Sequence, residues 1–315
     1  MKIVLAIIFV LTTLGLSKSF DDQNTGRLNE QLKPRISFTF DDGQINNIGP
    51  YELQKWNQML LDNLKKENLR AILFSSGNNK MSEKGKYILS SWNDAGHSIA
   101  NHTFSHPNFN SEMVTLETFK SELIRNDKII NKYSNYLPYF RFPYLKEGNT
   151  IEKVNGFRQF LMEKGYKNGY VTVDASDWYI DSRLVQRIKQ NPKADISGFE
   201  SYYKKHLLER ALFYDSVAYE LTHRRISHVL LLHHNLAAAL FLDDLIQHFK
   251  DNGWEVIDAD KAYKDDIYVE EPDNIPAGES LIWALAKKSG KFNNVLRYPA
   301  EDSEYEKPLM DKLGL

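Results

Sequence analysis

Short apolar runs alternate along the chain with longer segments in which apolar residues recur every three or four positions. The first pattern is typical of buried strands and the second of amphipathic helices. Strands are predicted over residues 36–40, 71–74, 98–100, 138–142, 170–173, 229–232 and 255–258. Helices are predicted over residues 51–68, 87–95, 115–131, 151–164, 199–221, 239–252 and 280–288. This alternation predicts an α/β domain in which helices surround a sheet of parallel strands. The sequence has no glycine-rich dinucleotide fingerprint, which favours a barrel over an open sheet.

The N-terminus has the features of an export signal. Lys2 precedes an apolar run over residues 3–11, and small polar residues follow at 17–19, so we expect cleavage before Phe20. The run is shorter than the ~20 apolar residues that a membrane-spanning helix needs. We therefore expect an exported protein, periplasmic or secreted, with no stable membrane span after cleavage.

Composition narrows the chemistry. The chain contains no cysteine, which excludes disulfides and thiolate sites, so any metal must be held by His, Asp or Glu. The net charge is −2 and there is no long basic run, so nucleic acid is not an expected partner.

Polar side chains follow five of the predicted strands directly. The segments are Asp41-Asp42, residues 101–106, residues 141–144, Asp174 with Asp177-Trp178, and residues 233–235. In α/β barrels the catalytic groups lie at the C-terminal ends of the strands. Because all five segments follow strands in this way, we expect their polar side chains to form one shared active site.

His102 and His106 are four residues apart, a spacing that places two imidazoles on one side of a helical turn. With one carboxylate they would form a three-ligand site of the kind that catalytic zinc uses. If one residue of the Asp41-Asp42 pair binds the metal, the other is free to act as a base.

Arg141 and His233 are further candidates. Arg141 follows a predicted strand and precedes the rigid Pro143, which favours a fixed orientation toward a carboxylate. His233 ends an apolar run and is either a core histidine or a general acid. The histidines that lack such a context are expected to be structural or exposed; they are His97, His206, His223, His228 and His248.

At these residues the sequence resembles the polysaccharide deacetylases of carbohydrate esterase family 4, the nodulation-protein-B-like domain, over roughly residues 35–258. All five family motifs occur in order, at residues 39–43, 102–106, 141–144, 177–178 and 231–233. The resemblance implies a distorted (β/α) barrel with a single catalytic domain. We accordingly divide the chain into a signal peptide at residues 1–19, a catalytic domain at 20–262 and a C-terminal extension packed on it at 263–315.

The resemblance also implies roles. Asp41 would be the general base, and the metal ligands would be Asp42, His102 and His106. Arg141 would orient the base, and Asp177 would hold Arg141.

The remaining motif positions would shape the pocket and protonate the leaving group. The backbone N–H of Tyr144 would help to hold the oxyanion, Trp178 would line the groove and Leu231 the acetyl pocket. His233 would be the general acid. The family usually has a small polar residue after this histidine, whereas this chain has His234, so the register of the acid is open by one residue; the apolar spacing favours His233.

The implied reaction is hydrolysis of an N- or O-acetyl group on a polysaccharide or oligosaccharide. It would use a divalent metal, for which we expect zinc, with cobalt or nickel as alternatives. A related hydrolase of a small cyclic amide is a second interpretation, which the predicted signal peptide disfavours. A non-catalytic carbohydrate-binding protein on the same fold is a third, and loss of the base or of a ligand would mark it. The polymer and the type of acetyl group stay open.

Overall fold

A curled sheet of parallel strands forms the centre of the fold in the computed structural model, which describes residues 33–298 and 301–315. The predicted signal peptide lies outside these residues. Strands β1 to β9 are Arg35–Asp42, Ile72–Ser75, Ser98–Asn101, Tyr136–Phe140, Lys146–Gly148, Lys167–Asn168, Ser227–His233, Glu255–Val256 and Ala277–Gly278. The sheet has the order β6-β4-β3-β2-β1-β7, with β8 beside β1, whereas β5 and β9 form a separate antiparallel pair.

Helices surround this sheet. Helices α1 to α10 are Leu53–Lys66, Glu83–Asp94, Leu116–Ile130, Ile151–Glu163, Asp177–Gln190, Ser197–Thr222, Leu236–Asp251, Ala259–Ala262, Leu281–Ser289 and Ser303–Lys312. None of the helices in the described part of the chain has the length and apolarity to cross a membrane.

The sheet curls until Val173, beyond β6, bridges Leu230 on β7. The distorted (β/α) barrel that the sequence predicts is thereby confirmed. Its closure is irregular, and the predicted strand over residues 170–173 is wrong apart from this single bridge. The N–H groups of Thr172 and Val173 both donate to the carbonyl of Val229, and the Thr172 hydroxyl accepts the N–H of Val229. The Thr172 side chain therefore replaces one of the backbone hydrogen bonds that a regular strand pair would form.

Three helices were not predicted, and one of them is the four-residue α8. In α5 the residues Ile180, Leu184 and Ile188 are buried at a spacing of four, so a helical period is present in the sequence directly after the Asp177-Trp178 motif. Helix α10 lies in a segment for which the pattern predicts no second helix, and its few buried residues are Glu306 and Met310, which is too weak an apolar stripe to detect.

Strand β1 shows how the barrel orients the site. Successive side chains of a strand point to opposite faces. Ile36, Phe38 and Phe40 pack into the core beneath the outer helices, whereas the intervening Ser37 and Thr39 point inward. The hydroxyls of Ser37 and Thr39 donate to carbonyls of β7, so both are satisfied in the interior. Asp41 continues this inward row at the C-terminal end of the strand.

Candidate active site

The carboxyl ends of β1 and β3 bring Asp42, His102 and His106 together. One oxygen of Asp42 lies 3.4 Å from Nε2 of His106 and 3.8 Å from Nε2 of His102, and the two Nε2 atoms are 3.2 Å apart. Ligand atoms ~2.1 Å from a tetrahedral ion lie about 3.4 Å from one another. The three donor atoms thus match the spacing of a metal site.

The loop that carries the two histidines is not the helical turn that their spacing predicted. Residues 102–106 are irregular, and Thr103 and His106 have φ values of 64° and 60°. The N–H of Thr103 donates to the side chain of Asn101, and Glu122 accepts both the N–H and the hydroxyl of Ser105. These contacts hold a left-handed backbone that is sparsely populated and that is common at functional sites.

The protonation states of the three residues suit a cation. Nδ1 of His102 lies 2.9 Å from the carbonyl of Arg141, so it carries the proton and leaves Nε2 free to bind. Burial lowers the pKa of His106 to about 4, which keeps its imidazole neutral. Burial opposes the charge of Asp42, but the nearby His233, His102 and His106 lower its pKa. A carboxylate and two neutral imidazoles are the ligand forms that a divalent metal requires, so these residues fit the group.

Asp41 is buried beside this cluster and is held by Arg141. Nη1 of Arg141 donates to Oδ1 of Asp41 at 2.6 Å and to the Thr39 hydroxyl at 2.9 Å. The other oxygen, Oδ2, lies 3.7 Å from Nε2 of His102. One oxygen of Asp41 is therefore engaged by the arginine, while the other faces the candidate metal site at His102. Arg141 has the orientation toward a carboxylate that the sequence predicts.

Asp177 does not hold Arg141, and the prediction of that contact is wrong. Oδ1 of Asp177 lies 2.7 Å from Nδ1 of His233, and Oδ2 accepts the backbone N–H of His233 at 2.8 Å. Asp177 opens α5 and faces the end of β7, so it meets the histidine that ends that strand. Instead, Nε of Arg141 donates to the carbonyl of Gly169 and Nη2 to the hydroxyl of Tyr263, each at 2.9 Å.

His233 and His234 have opposite environments. His233 lines a cavity of about 630 Å³ together with Asp41, Asp42, His102 and His106. His234 points into the core, where Nε2 donates to the side chain of Asn57 at 2.9 Å and the ring packs against Trp56 and Trp92. Of the two, His233 is the histidine that faces the cavity.

The predicted pocket residues Tyr144, Trp178 and Leu231 line the same cavity. The Tyr144 ring packs edge-on against His106, with the ring centres 4.6 Å apart. Tyr144 and Trp178 are 58% and 40% exposed, so both rings are available at the rim to a bound molecule. Tyr144 has a φ of 56°, another left-handed residue at the site.

Other lining residues were missed from the sequence. They are Gln44, Asn108, Leu145, Lys146, Asp181, Glu279, Glu301 and Asp302. Asp174 and Asn235, which belong to the predicted polar segments, line the cavity as well. Asp181 lies one helical turn after Asp177, so its neighbourhood is a signal that it lies near the site. Burial raises the pKa of Asp174, and raises that of Asp181 to about 7. No local pattern marks Glu279 or Glu301, which come from the segment after the barrel.

Comparison with known proteins finds similar sequences and similar folds. A family model described as polysaccharide deacetylase matches residues 29–160, which include Asp41, Asp42, His102, His106 and Arg141. Asp177 and His233 lie beyond the matched range. A peptidoglycan-N-acetylglucosamine deacetylase of Bacillus cereus is 31% identical over 147 residues, which are 46% of this chain and 47% of that protein. The chain thus spans about half the length of this curated relative.

Solved structures share the fold. The Bc1960 peptidoglycan N-acetylglucosamine deacetylase superposes with a TM-score of 0.52 at 20% identity, over 74% of this chain and 90% of that one. The catalytic domain of a peptidoglycan N-acetylglucosamine deacetylase from Eubacterium rectale gives 0.50 at 20% identity, over 72% and 88%. A mutant of BA3943, a pseudoenzyme of carbohydrate esterase family 4, gives 0.51 at 16% identity, over 74% and 68%. At these identities the likeness is one of fold.

Proposed function

Because the chain belongs to the polysaccharide deacetylase family, we propose that it is an active, metal-dependent hydrolase that removes acetyl groups from N-acetylglucosamine units of peptidoglycan. The observation that carries the proposal is the convergence of three groups on one cavity: the metal-ligand set, the Asp41–Arg141 pair and the His233–Asp177 pair. A base, an electrophile-binding site and an acid within one cleft are what hydrolysis of an amide needs.

In this proposal Asp42, His102 and His106 hold the divalent ion, with zinc as the first candidate and cobalt or nickel as alternatives. When bound, the ion supplies Lewis-acid polarisation of the acetyl carbonyl and lowers the pKa of a water molecule. Asp41 takes the proton from the attacking water through Oδ2, the oxygen that faces the ligands. Arg141 holds the carboxyl in a fixed orientation, because it donates to the opposite oxygen.

Departure of the sugar amine requires a proton, and His233 is the proposed donor. The amide carbon then loses its nitrogen, the acetyl group leaves as acetate, and the amine leaves with the proton from the imidazole. Asp177 stabilises the protonated form of His233 until that step. The Tyr144 backbone N–H is the proposed partner of the oxyanion, with Leu231 against the acetyl methyl and Trp178 under a sugar ring.

The name of the Bacillus cereus relative supports peptidoglycan as the first substrate to test. Such a polymer lies outside the cytoplasm, which agrees with the predicted signal peptide at residues 1–19 and with export to the periplasm or medium. We also propose that residues 263–315 extend the catalytic domain at 20–262, since Glu279 and Glu301 line the cavity.

A non-catalytic protein on this fold is the main alternative, because family members include pseudoenzymes. This chain retains the base, both histidines and the ligand aspartate, with their atoms in contact range of one another. Nothing in the described site favours the binding-protein alternative over the enzyme.

The test is acetate release by the purified protein from peptidoglycan, acetylated chitin oligomers and acetylated xylan, with added zinc and with chelator. We expect release from peptidoglycan that chelator abolishes and zinc restores. Release from another polymer would replace the substrate but keep the reaction. Tight zinc binding with no release from any polymer would reject the proposal and turn attention to small cyclic amides or to a binding role.

A further inference from the structure

Tyr263 is a buried tyrosine that packs against strands of the sheet. It follows α8, and its ring lies in an interior apolar cluster with Phe74, Val171 and Leu231. The ring packs edge-on against Tyr139 and obliquely against Tyr268, with ring centres 4.9 Å and 4.8 Å away. Tyr263 is not part of any of the five motifs, and it does not line the cavity. The aromatic ring of Tyr263 therefore packs in the apolar cluster, whereas its hydroxyl makes polar contacts.

That hydroxyl lies between Arg141 and a backbone carbonyl. Nη2 of Arg141 is 2.9 Å from the Tyr263 oxygen, and the same oxygen is 2.9 Å from the carbonyl of Tyr170. A guanidinium only donates and a carbonyl only accepts. The direction of both bonds is therefore determined: Tyr263 donates its proton to Tyr170 and accepts from Arg141.

Arg141 depends on this acceptor. The residue is 1% exposed, and its guanidinium stacks 3.8 Å from the ring centre of Phe74, so water is excluded from one face. Among the described residues, Nη2 has the Tyr263 hydroxyl as its one hydrogen-bond acceptor, whereas Nη1 holds Asp41 and Thr39. Loss of an acceptor from a buried charged donor is more costly than loss of an exposed hydrogen bond.

We propose that Tyr263 is a positioning residue of the active site, which acts through Arg141 to aim Asp41. This inference rests on the proposed function for its kinetic consequence. The chain of contacts runs from the Tyr170 carbonyl through Tyr263 and Arg141 to Oδ1 of Asp41, and it fixes the rotation of the guanidinium. A proton acceptor that is displaced by a fraction of an ångström loses much of its effectiveness. The segment after the barrel thus takes part in catalysis.

The experiment compares Tyr263→Phe with Tyr268→Phe. The first substitution removes the acceptor of Arg141 and keeps the packing ring. The second is the matched control, because the Tyr268 hydroxyl donates to the carbonyl of Ser227 and makes no hydrogen bond to Arg141. With zinc-loaded protein and penta-N-acetylchitopentaose or peptidoglycan, we expect Tyr263→Phe to lower kcat about tenfold with KM and zinc content unchanged. Tyr268→Phe should keep the wild-type kcat.

A wild-type kcat for Tyr263→Phe would overturn the inference, as would an equal loss of kcat in Tyr268→Phe. A second readout does not need activity: the side-chain N–H signals of the arginines in ¹H–¹⁵N NMR spectra. The Arg141 signal is assigned as the one that disappears in Arg141→Lys. We expect slow hydrogen exchange at Arg141 in the wild type and fast exchange in Tyr263→Phe; equal exchange would reject the contact. If the wild type releases no acetate, the proposed function fails, and this readout alone decides the role of Tyr263.

Discussion

The Asp177 carboxylate binds His233 twice, through Nδ1 of the ring at 2.7 Å and through the backbone N–H at 2.8 Å. Burial by itself would lower the pKa of His233, but the Asp177 charge and hydrogen bond raise it to about 10. The folded-state pKa is thus above the unfolded value of about 6.5. The pair therefore stabilises the fold fully below about pH 6.5, and this contribution is lost as the pH rises through about 10.

Replacing Asp177 with Asn should move the alkaline limb of the pH–rate profile. The amide keeps the shape but removes the charge that favours protonated His233, so the pKa of His233 falls and the general acid is lost at lower pH. We expect the alkaline limb of kcat/KM to shift down by about one pH unit or more. Asp174→Asn is the control, because Asp174 lines the cavity but has no contact with His233. If the alkaline limb of Asp177→Asn matches that of the wild type, either His233 is not the general acid or Asp177 does not raise its pKa.

Replacing His102 with Ala should abolish metal binding together with activity. His102 supplies one of three donor atoms that lie within 4.8 Å of one another. With one imidazole gone, the remaining pair holds a divalent ion weakly. Metal content after dialysis measures this directly. His97→Ala is a matched control: His97 is also buried, but its ring accepts the N–H of Ala71, so its loss should lower stability and leave the metal in place. Stoichiometric metal in His102→Ala would disprove the ligand assignment.

His233 and His234 should separate catalysis from folding. His233→Ala removes the proposed acid from the cavity, and we expect kcat to fall about 100-fold or more. Because the Asp177–His233 pair also stabilises the fold, the melting temperature falls too, but the protein that is still folded at the assay temperature stays inactive. His234→Ala removes one buried hydrogen bond to Asn57, whose Oδ1 keeps the indole N–H of Trp92, and it removes the ring that packs against both tryptophans. It should therefore cost about 1–3 kcal/mol of unfolding free energy and spare most of the turnover. Thermal melts and initial rates distinguish the two effects. The reverse pattern would assign the acid to His234.

Much of this site was predictable because its residues obey one positional rule. Asp42, His102 and His233 each end or follow a strand, and parallel strands bring these ends to the same rim. In β1 hydroxyl and apolar residues alternate, and in the structure the pleat places Asp41 in the same inward row as Ser37 and Thr39.

Contacts across long sequence distances were not predictable in the same way. Tyr263 is 122 residues from Arg141 and reaches it through the barrel interior. The partner of Asp177 was wrongly predicted, because a motif says which residues converge but not which pairs touch. The left-handed backbone at Thr103 and His106 depends on side-chain support from Asn101 and Glu122, which no spacing rule describes.

In the proposed mechanism Asp41 and Asp42, adjacent in sequence, divide into base and metal ligand. The most direct measurement compares Asp41→Asn with Asp42→Asn, the same chemical change at neighbouring positions, for bound zinc and for acetate released from peptidoglycan. We predict that Asp41→Asn keeps its zinc and releases no acetate, whereas Asp42→Asn binds zinc weakly and also releases none. Acetate release by Asp41→Asn at the wild-type rate, or wild-type zinc affinity in Asp42→Asn, would contradict this division of roles.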